Sequence, residues 1–225
     1  MDEDVWIIVP AYNEARVLSE PLDALCRHYQ NVIVVDDGST DGTLVIAEQF
    51  PVFRMRHLIN CGQGAAIRTG LDFALKKGAQ VLVTFDADGQ HMVHDIKALI
   101  NPILDGEVDV TLGSRFLGDT EGMPRARWLL LKAGVLFTRL FSRINVTDTH
   151  NGMRAFSRNA ADAIPVTEDG MAHASEILDE IYRLKLKFRE VPVRIRYSEE
   201  TLSKGQSGWN SIKIATQFLL GRIFR

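Results

Sequence analysis

Asp86 and Asp88 follow the apolar run Val81 to Phe85 and precede Gly89-Gln90-His91. Two carboxylates one residue apart at a strand end can share a hard divalent cation with a diphosphate, because such a cation wants oxygen ligands and takes few of them from protein. The same pair could cap a helix beginning near Val93 or form an acidic turn, and the tripeptide alone does not separate these readings. Two more polar clusters also follow apolar runs: Pro10-Ala11-Tyr12-Asn13-Glu14, and the stretch from Asp36 to Thr43. Acidic loop side chains accept hydrogen bonds from base or ribose donors, and an exposed ring can stack on a base. Asp37 and Tyr12 are therefore assigned to a ligand, whereas Ser39, Thr40 and Asp41 read as helix caps.

Elements of known type must carry these clusters. Val5–Val9, Val32–Val35, Val52–Ile59, Val81–Phe85 and Val108–Leu112 read as strands, and Glu14–Arg27, Thr40–Gln49, Ile67–Lys77 and Val93–Leu104 carry apolar residues at helical spacing between them. Alternation of this kind predicts an α/β fold, a mostly parallel central sheet flanked by helices on both faces. Ligands of open parallel sheets bind at the carboxyl ends of the strands, so the three clusters should converge on one cleft. The second half reads as a helix from Ala126 to Ser142, a loop over Thr147–Gly152, a helix from Ser175 to Leu184, an extended piece over Phe188–Arg196 and a last helix from Trp209 to Ile223. With no repeat, low-complexity tract or linker, residues 1–225 are expected to form one domain.

The chain has 225 residues, a net charge of −3 and 46% hydrophobic residues, which suits a compact globular chain with a sizeable core. Cys26 and Cys61 stand far apart, so neither a disulfide scaffold nor a structural zinc site is supported and a reduced, cytoplasmic setting is expected. The acidic start Met1-Asp2-Glu3-Asp4 is unlike a signal peptide, and no apolar run reaches the roughly 18 residues of a membrane span. The net charge conceals a segregation. Residues 1–100 hold 8 basic and 14 acidic side chains, while Gly122–Arg143 holds Arg125, Arg127, Lys132, Arg139 and Arg143 without an acid. An anionic partner is expected at the basic end.

VPAYNEA, VVDDGSTDGT, NCGQGAAIRTGL, TFDADGQH and GSRF, followed by THNGMRAFSR, VPVRIRY and SKGQS, resemble in order and spacing the family 2 glycosyltransferases of the GT-A fold, and among them the dolichyl-phosphate mannose synthase and polyprenyl-phosphate glycosyltransferase group. The resemblance covers most of the chain. It implies a Rossmann-like GT-A fold with C-terminal interfacial helices, and inverting transfer of a sugar from a nucleotide-diphosphate donor. By the same resemblance Pro10, Tyr12, Glu14 and Asp37 hold the nucleoside, Asp86 and Ala87 line the ribose and diphosphate, and Asp88 and Gln90, with Asp86, hold Mg²⁺ or Mn²⁺. Lys204 matches a basic residue on a segment that closes over the diphosphate, so Asp88, Arg115 and Lys204 are the implied catalytic residues. Residues 1–115 are then the nucleotide-sugar half and residues 116–225 the acceptor- and membrane-facing half.

Two departures refine the expectation. Gln63 stands where relatives often carry a basic residue, so Arg68 is the candidate to supply that phosphate contact. Where many hydroxyl-glycosylating members place paired acids as a base, this chain has His173-Ala174-Ser175-Glu176. A hydroxyl nucleophile needs a base, whereas a phosphate monoester, with a second pKa of about 6, arrives anionic and needs cations. Ser114, Arg115, Arg125 and Arg127 are the candidates to hold that phosphate, since guanidinium groups match phosphate oxygens bidentately. Arg125, Lys132 and Arg139 recur every seven positions beside Trp128, Leu129, Leu131, Val135, Leu136 and Phe137, as in an interfacial helix with snorkelling cations. Trp209, Ile212, Leu219 and Ile223, near Lys213, Arg222 and Arg225, repeat the pattern.

The expected partners are therefore a nucleotide-sugar, a polyprenyl-phosphate acceptor and the membrane surface, but no nucleic acid. The expected location is the cytoplasmic face, with either a separate membrane protein as partner or a chain truncated before membrane helices. The alternative is transfer to a hydroxyl of a growing cell-surface glycan with Glu176 as base. A dinucleotide oxidoreductase is rejected because Ile67 stands where a third glycine is required, and retention of Asp86, Asp88 and Gln90 argues against a lectin-like module. His91 could orient Gln90 or Asp88, and His173 could approach the metal. His28, His57, His94 and His150 read as surface or packing residues.

Overall fold

A computed structural model describes residues 4–142 and 144–197, so Lys204 and the expected last helix lie outside the described residues, as do Arg143 and the side chains of Phe137 and Arg139. Seven strands, β1 (Val5–Ala11), β2 (Asn31–Asp36), β3 (Phe53–Arg56), β4 (Val81–Thr84), β5 (Val110–Glu121), β6 (Arg154–Ser157) and β7 (Phe188–Arg196), form one sheet in the order β3-β2-β1-β4-β6-β5-β7. The β3-β2-β1-β4 run is parallel and β5 is parallel to β7, whereas β6 is antiparallel to both of its neighbours. The helices are α1 (Ser19–Cys26), α2 (Thr43–Ala47), α3 (Gln63–Lys76), α4 (Ile96–Leu104), α5 (Arg125–Ser142), α6 (Arg158–Ala163) and α7 (His173–Arg183). This is the mixed, mostly parallel α/β architecture expected.

The unbroken apolar strands follow from burial on both faces. Val5, Ile7 and Val9 of β1 pack with Leu22 of α1 and Leu99 of α4, while Trp6 and Ile8 face Leu71 of α3 and Ile177 of α7. Ile7, Ile8 and Leu82 are fully buried, each stabilising the fold by about 1.5–3 kcal/mol relative to exposure. At Gly70 a Cβ would lie 2.4 Å from Ile8 Cγ2, which is why α3 can lie so close on β1.

Several boundaries differ from expectation. The third strand ends at Arg56 instead of Ile59, because Leu58 and Ile59 turn out to solvent. The first helix begins at Ser19, the residues from Glu14 being used in turns that bring the Val17 and Leu18 N–H groups to the Glu14 carbonyl. The helix starting at Gln63 is longer than its apolar periodicity suggests. The expected Val93–Leu104 helix divides into a 3₁₀ turn, Val93–Asp95, and α4. The fifth strand continues to Glu121, past an irregularity between Ser114 and Asp119. Strand β6 and helix α6 were not foreseen. Four residues are too few to show a period, and the helix is set by Ser157, whose Oγ accepts the Ala160 N–H.

Candidate active site

The carboxyl ends of β1, β2 and β4 meet, and the loops leaving them are tied to one another. The Asn13 N–H donates to Ser39 Oγ (2.9 Å), Asn13 Oδ1 accepts the Thr40 N–H (2.9 Å), and Asp41 accepts the N–H groups of Ala15 and Thr43. Asn13 adopts φ 55° to make these bonds, a conformation asparagine tolerates better than most residues. Asp41 thus does meet the start of α2, whereas Ser39 holds the neighbouring loop instead of capping. Tyr12 is exposed beside this seam, Pro10 is buried near the end of β1, and Ala87 is buried in the turn after β4.

Asp37 is 2% exposed, and its carboxylate accepts hydrogen bonds from His57 Nδ1 (2.7 Å), the Cys61 N–H (2.9 Å) and the Gly62 N–H (2.7 Å). It therefore fixes the turn between β3 and α3, with His57 completing the link through Thr69 Oγ1 at 2.9 Å. Among the described residues, Asp37, His57 and Cys61 are the grouping of three His, Cys, Asp or Glu side chains whose ligand atoms lie within 4.8 Å of one another. Gly62 has φ +103°, and a Cβ there would fall 2.3 Å from the Asp169 carbonyl, so only glycine lets the loop over 166–170 close on the start of α3. Arg68 secures that loop by donating to the Val166 carbonyl and to Asp169, both at 2.9 Å.

The carboxylates after β4 sit at the centre. Asp86 accepts from Gln63 Nε2 (3.0 Å) and His91 Nε2 (3.1 Å). His91 thus orients Asp86, instead of Gln90 or Asp88. Burial opposes ionisation of Asp86, but the hydrogen bond and charge of His91, with the nearby Arg154 guanidinium, outweigh it and hold the carboxyl below its usual value. Asp88 behaves oppositely. Burial, the Asp86 charge and the Glu14 charge push it up to about 6, against His91 and the Gln90 N–H, which donates to Asp88 Oδ1 at 3.0 Å. The structure thus brings Glu14, Asp86, Asp88 and Gln90 to one place. Two all-oxygen side chains whose like charges penalise one another are a donor set that fits a hard divalent cation. Gly152 is part of the cradle, since a Cβ there would lie 2.1 Å from Asp86 Oδ2.

Behind Asp86, Arg154 and Asn151 are 4% and 3% exposed, in a segment, THNGMRAFSR, of which sequence reasoning named only His150 individually. Burial pushes the Arg154 guanidinium down to about 10 despite Asp86 and Asp148. His173, at the start of α7, is held down to about 4 by burial and by Arg154, so its ring is neutral. Its Nδ1 lies 2.7 Å from the Gly170 carbonyl and must donate, since a carbonyl only accepts.

The expected acceptor residues divide into two sets. Ser114 and Arg115 are buried. Ser114 Oγ pairs with Thr147 Oγ1 at 2.6 Å, and Arg115 donates to Asp148 at 2.6 Å and to the Tyr197 hydroxyl at 2.7 Å. Arg127 stacks on the other side of that network, 5.0 Å from the Tyr197 ring centre, and Arg125 is exposed at the first turn of α5. On α5, Trp128, Leu129 and Leu136 are exposed, with Lys132 3.8 Å from the centre of the Phe116 ring. Among the described residues no helix is long and apolar enough to cross a membrane. Glu176 is 3% exposed, and its carboxylate accepts the Thr167 and Glu168 N–H groups, both at 2.9 Å, together with the Thr167 hydroxyl.

Residues 6–164 match the model of Glycosyl transferase family 2. The UDP-N-acetylglucosamine–dolichyl-phosphate N-acetylglucosaminyltransferase of Methanococcus voltae is 33% identical, over 97% of this chain and 96% of its own length. The polyprenol monophosphomannose synthase of Mycolicibacterium smegmatis is 30% identical, over 97% and 88%. In fold, the chain is similar to the glucosyl-3-phosphoglycerate synthase of Mycobacterium tuberculosis, whose structure with Mn²⁺, UDP-glucose and phosphoglyceric acid aligns at a TM-score of 0.74 and 19% identity over 96% of this chain and 77% of that one.

Proposed function

The chain belongs to glycosyl transferase family 2, and from that premise we propose that this glycosyltransferase moves a sugar from a nucleotide-diphosphate donor to the phosphate of a polyprenyl lipid, with inversion, from the cytoplasmic face of the membrane. Relatives named for dolichyl and polyprenyl phosphate acceptors, each aligned over 97% of the chain, support the acceptor class. The observation that carries the reading is Glu176. Its carboxylate is spent on Thr167 and Glu168, and so does not serve as the base a hydroxyl acceptor needs.

An acceptor phosphate oxygen attacks the anomeric carbon as the bond from that carbon to the diphosphate oxygen breaks. The nucleoside diphosphate leaves with the electron pair, and no proton need be removed. Tyr12, Pro10 and Glu14 frame the nucleoside, Asp37 acts through the turn it fixes beside them, and Asp86 and Ala87 line the ribose and diphosphate. Asp86, Asp88 and Gln90 would hold Mg²⁺ or Mn²⁺, which supplies positive charge to the departing diphosphate. Arg125 and Arg127 meet the acceptor phosphate, while Arg115, through Tyr197, positions Arg127. Ser114, next to Arg115 in β5, acts through its bond to Thr147, Arg68 acts through the loop over 166–170, and Lys204 serves the diphosphate. The exposed side chains of α5 rest on the lipid surface.

Incubation with nucleotide-sugars, Mn²⁺ and undecaprenyl or dolichyl phosphate should yield a glycosyl phospholipid, and the corresponding polyprenol, lacking the phosphate, should yield none. Glu176→Gln should keep turnover within about tenfold of the parent, whereas removal of a true general base costs about 10²–10⁴-fold. Transfer to the polyprenol, or loss on the larger scale in a folded variant, overturns the reading.

A further inference from the structure

The groups behind Asp86 make a second, smaller recognition problem. Asn151, Arg154 and His173 line a small cleft of about 50 Å³ together with Ile67, Met171 and Ile177. Arg154 Nη1 and Asn151 Nδ2 have no hydrogen-bond partner among the described residues, although both side chains are more than nine-tenths buried. Buried donors left in this state cost the fold stability, and two of them lining one cleft signal a ligand that accepts. His173 supplies the converse. With its Nδ1–H given to the Gly170 carbonyl, the neutral ring keeps a bare Nε2, an acceptor, on a residue that lines the cleft.

The cleft therefore offers two donors, one acceptor and an apolar wall. A carboxylate does not suit it, because the charge of Arg154 is already opposed by Asp86 and Asp148. A sugar hydroxyl could engage the polar groups but has nothing to set against Ile67, Met171 and Ile177. A secondary acetamide has every part: a carbonyl oxygen with two lone pairs for Arg154 and Asn151, an N–H for His173 and a methyl for the wall. Asp86 borders the cleft, and a group beside the residue that lines the donor diphosphate is the sugar attached to it.

We propose that Asn151, Arg154 and His173 form an acetamide subsite that selects a 2-acetamido-2-deoxyhexose as the sugar of the nucleotide donor. The proposal rests on the nucleotide-sugar reading above, and the two fail differently.

Calorimetric titration of the full chain with Mn²⁺ tests it. UDP-N-acetylglucosamine should bind at least about tenfold more tightly than UDP-glucose, the same nucleotide lacking only the acetamide. His173→Phe, which removes the acceptor, should collapse that ratio toward one, and His173→Gln, which restores one, should recover part of it. Equal affinity for the two UDP-sugars, preference for UDP-glucose or GDP-mannose, or a ratio that survives His173→Phe overturns the subsite. Absence of binding by UDP and GDP alike overturns the donor reading itself, and the subsite with it.

Discussion

Asp88 illustrates how one side chain ties affinity to pH. Its carboxyl is raised from 3.8 to about 6, by burial first and by Asp86 second. A raised acid holds its proton in the folded protein between roughly pH 4 and 6, where the unfolded chain has released it. Its contribution therefore favours the folded state at acid pH and is lost as pH rises through that window. A divalent cation at Asp86 and Asp88 has the opposite preference, because it needs the carboxylate and must displace the proton. Affinity for Mn²⁺ is accordingly expected to climb as pH rises from about 5 to 7 and then to level off, with proton release on binding that disappears above the Asp88 pKa. Calorimetry in buffers of different ionisation enthalpy reads both quantities. A flat affinity over that range, or Asp88→Asn with an unchanged pH profile, would remove Asp88 from the metal site. The pair itself was legible from residue types and position after a strand. What each carboxylate experiences was not, because Asp86 is set by Gln63, His91 and Arg154, and Asp88 by its burial and by the Asp86 charge with a smaller push from Glu14, surroundings that spacing does not encode.

The elements most visible in the sequence were those whose period is long enough to count. Helix α5 and strand β7 appear close to their expected bounds, and β1, β2 and β4 follow their apolar runs. The segments that escaped notice are short or are fixed from afar. Strand β6 has four residues, and the loop over 166–170 is held by Arg68 about a hundred positions earlier. Asp37 and Glu176 were recognised as candidates, yet their occupants, a turn and a loop, come from other elements. Helix α5 carries its own prediction. Leu129 and Leu136 are 63% and 60% exposed, and Arg125 and Lys132 share the helix with them. Burying each leucine in a bilayer interface is worth up to about 1.5–3 kcal/mol, and each basic residue near an anionic surface adds about 1 kcal/mol. Leu129→Glu combined with Leu136→Glu should lower co-sedimentation with phosphatidylglycerol vesicles by more than about tenfold. Both positions face solvent, so the melting temperature should hold within about 2 °C. Undiminished binding would show that another face of the molecule meets the lipid.

At the scale of the molecule, the net charge of −3 is the sum of an acidic half that carries the Asp86 and Asp88 site and a basic half that carries α5. The sheet joins them. Strand β6, from the second half, pairs with β4 on one side and β5 on the other, so neither half can lose its core without stripping a strand from the other. Chemical segregation with structural continuity leads to a specific expectation. Unfolding should be a single cooperative transition even though the two halves differ in charge. A nucleotide bound only to the folded form at 100 times its Kd stabilises by about 2.7 kcal/mol, which for a chain of this length raises the melting temperature by roughly 5–10 °C. UDP with Mn²⁺ should therefore move the entire transition, and intrinsic fluorescence from Trp6 in the first half and Trp128 in the second should shift together. In single-tryptophan variants, a transition that splits under UDP and Mn²⁺, with the Trp6 signal moving and the Trp128 signal fixed, would mean that the halves unfold separately and that the β4-β6 pairing does not couple them.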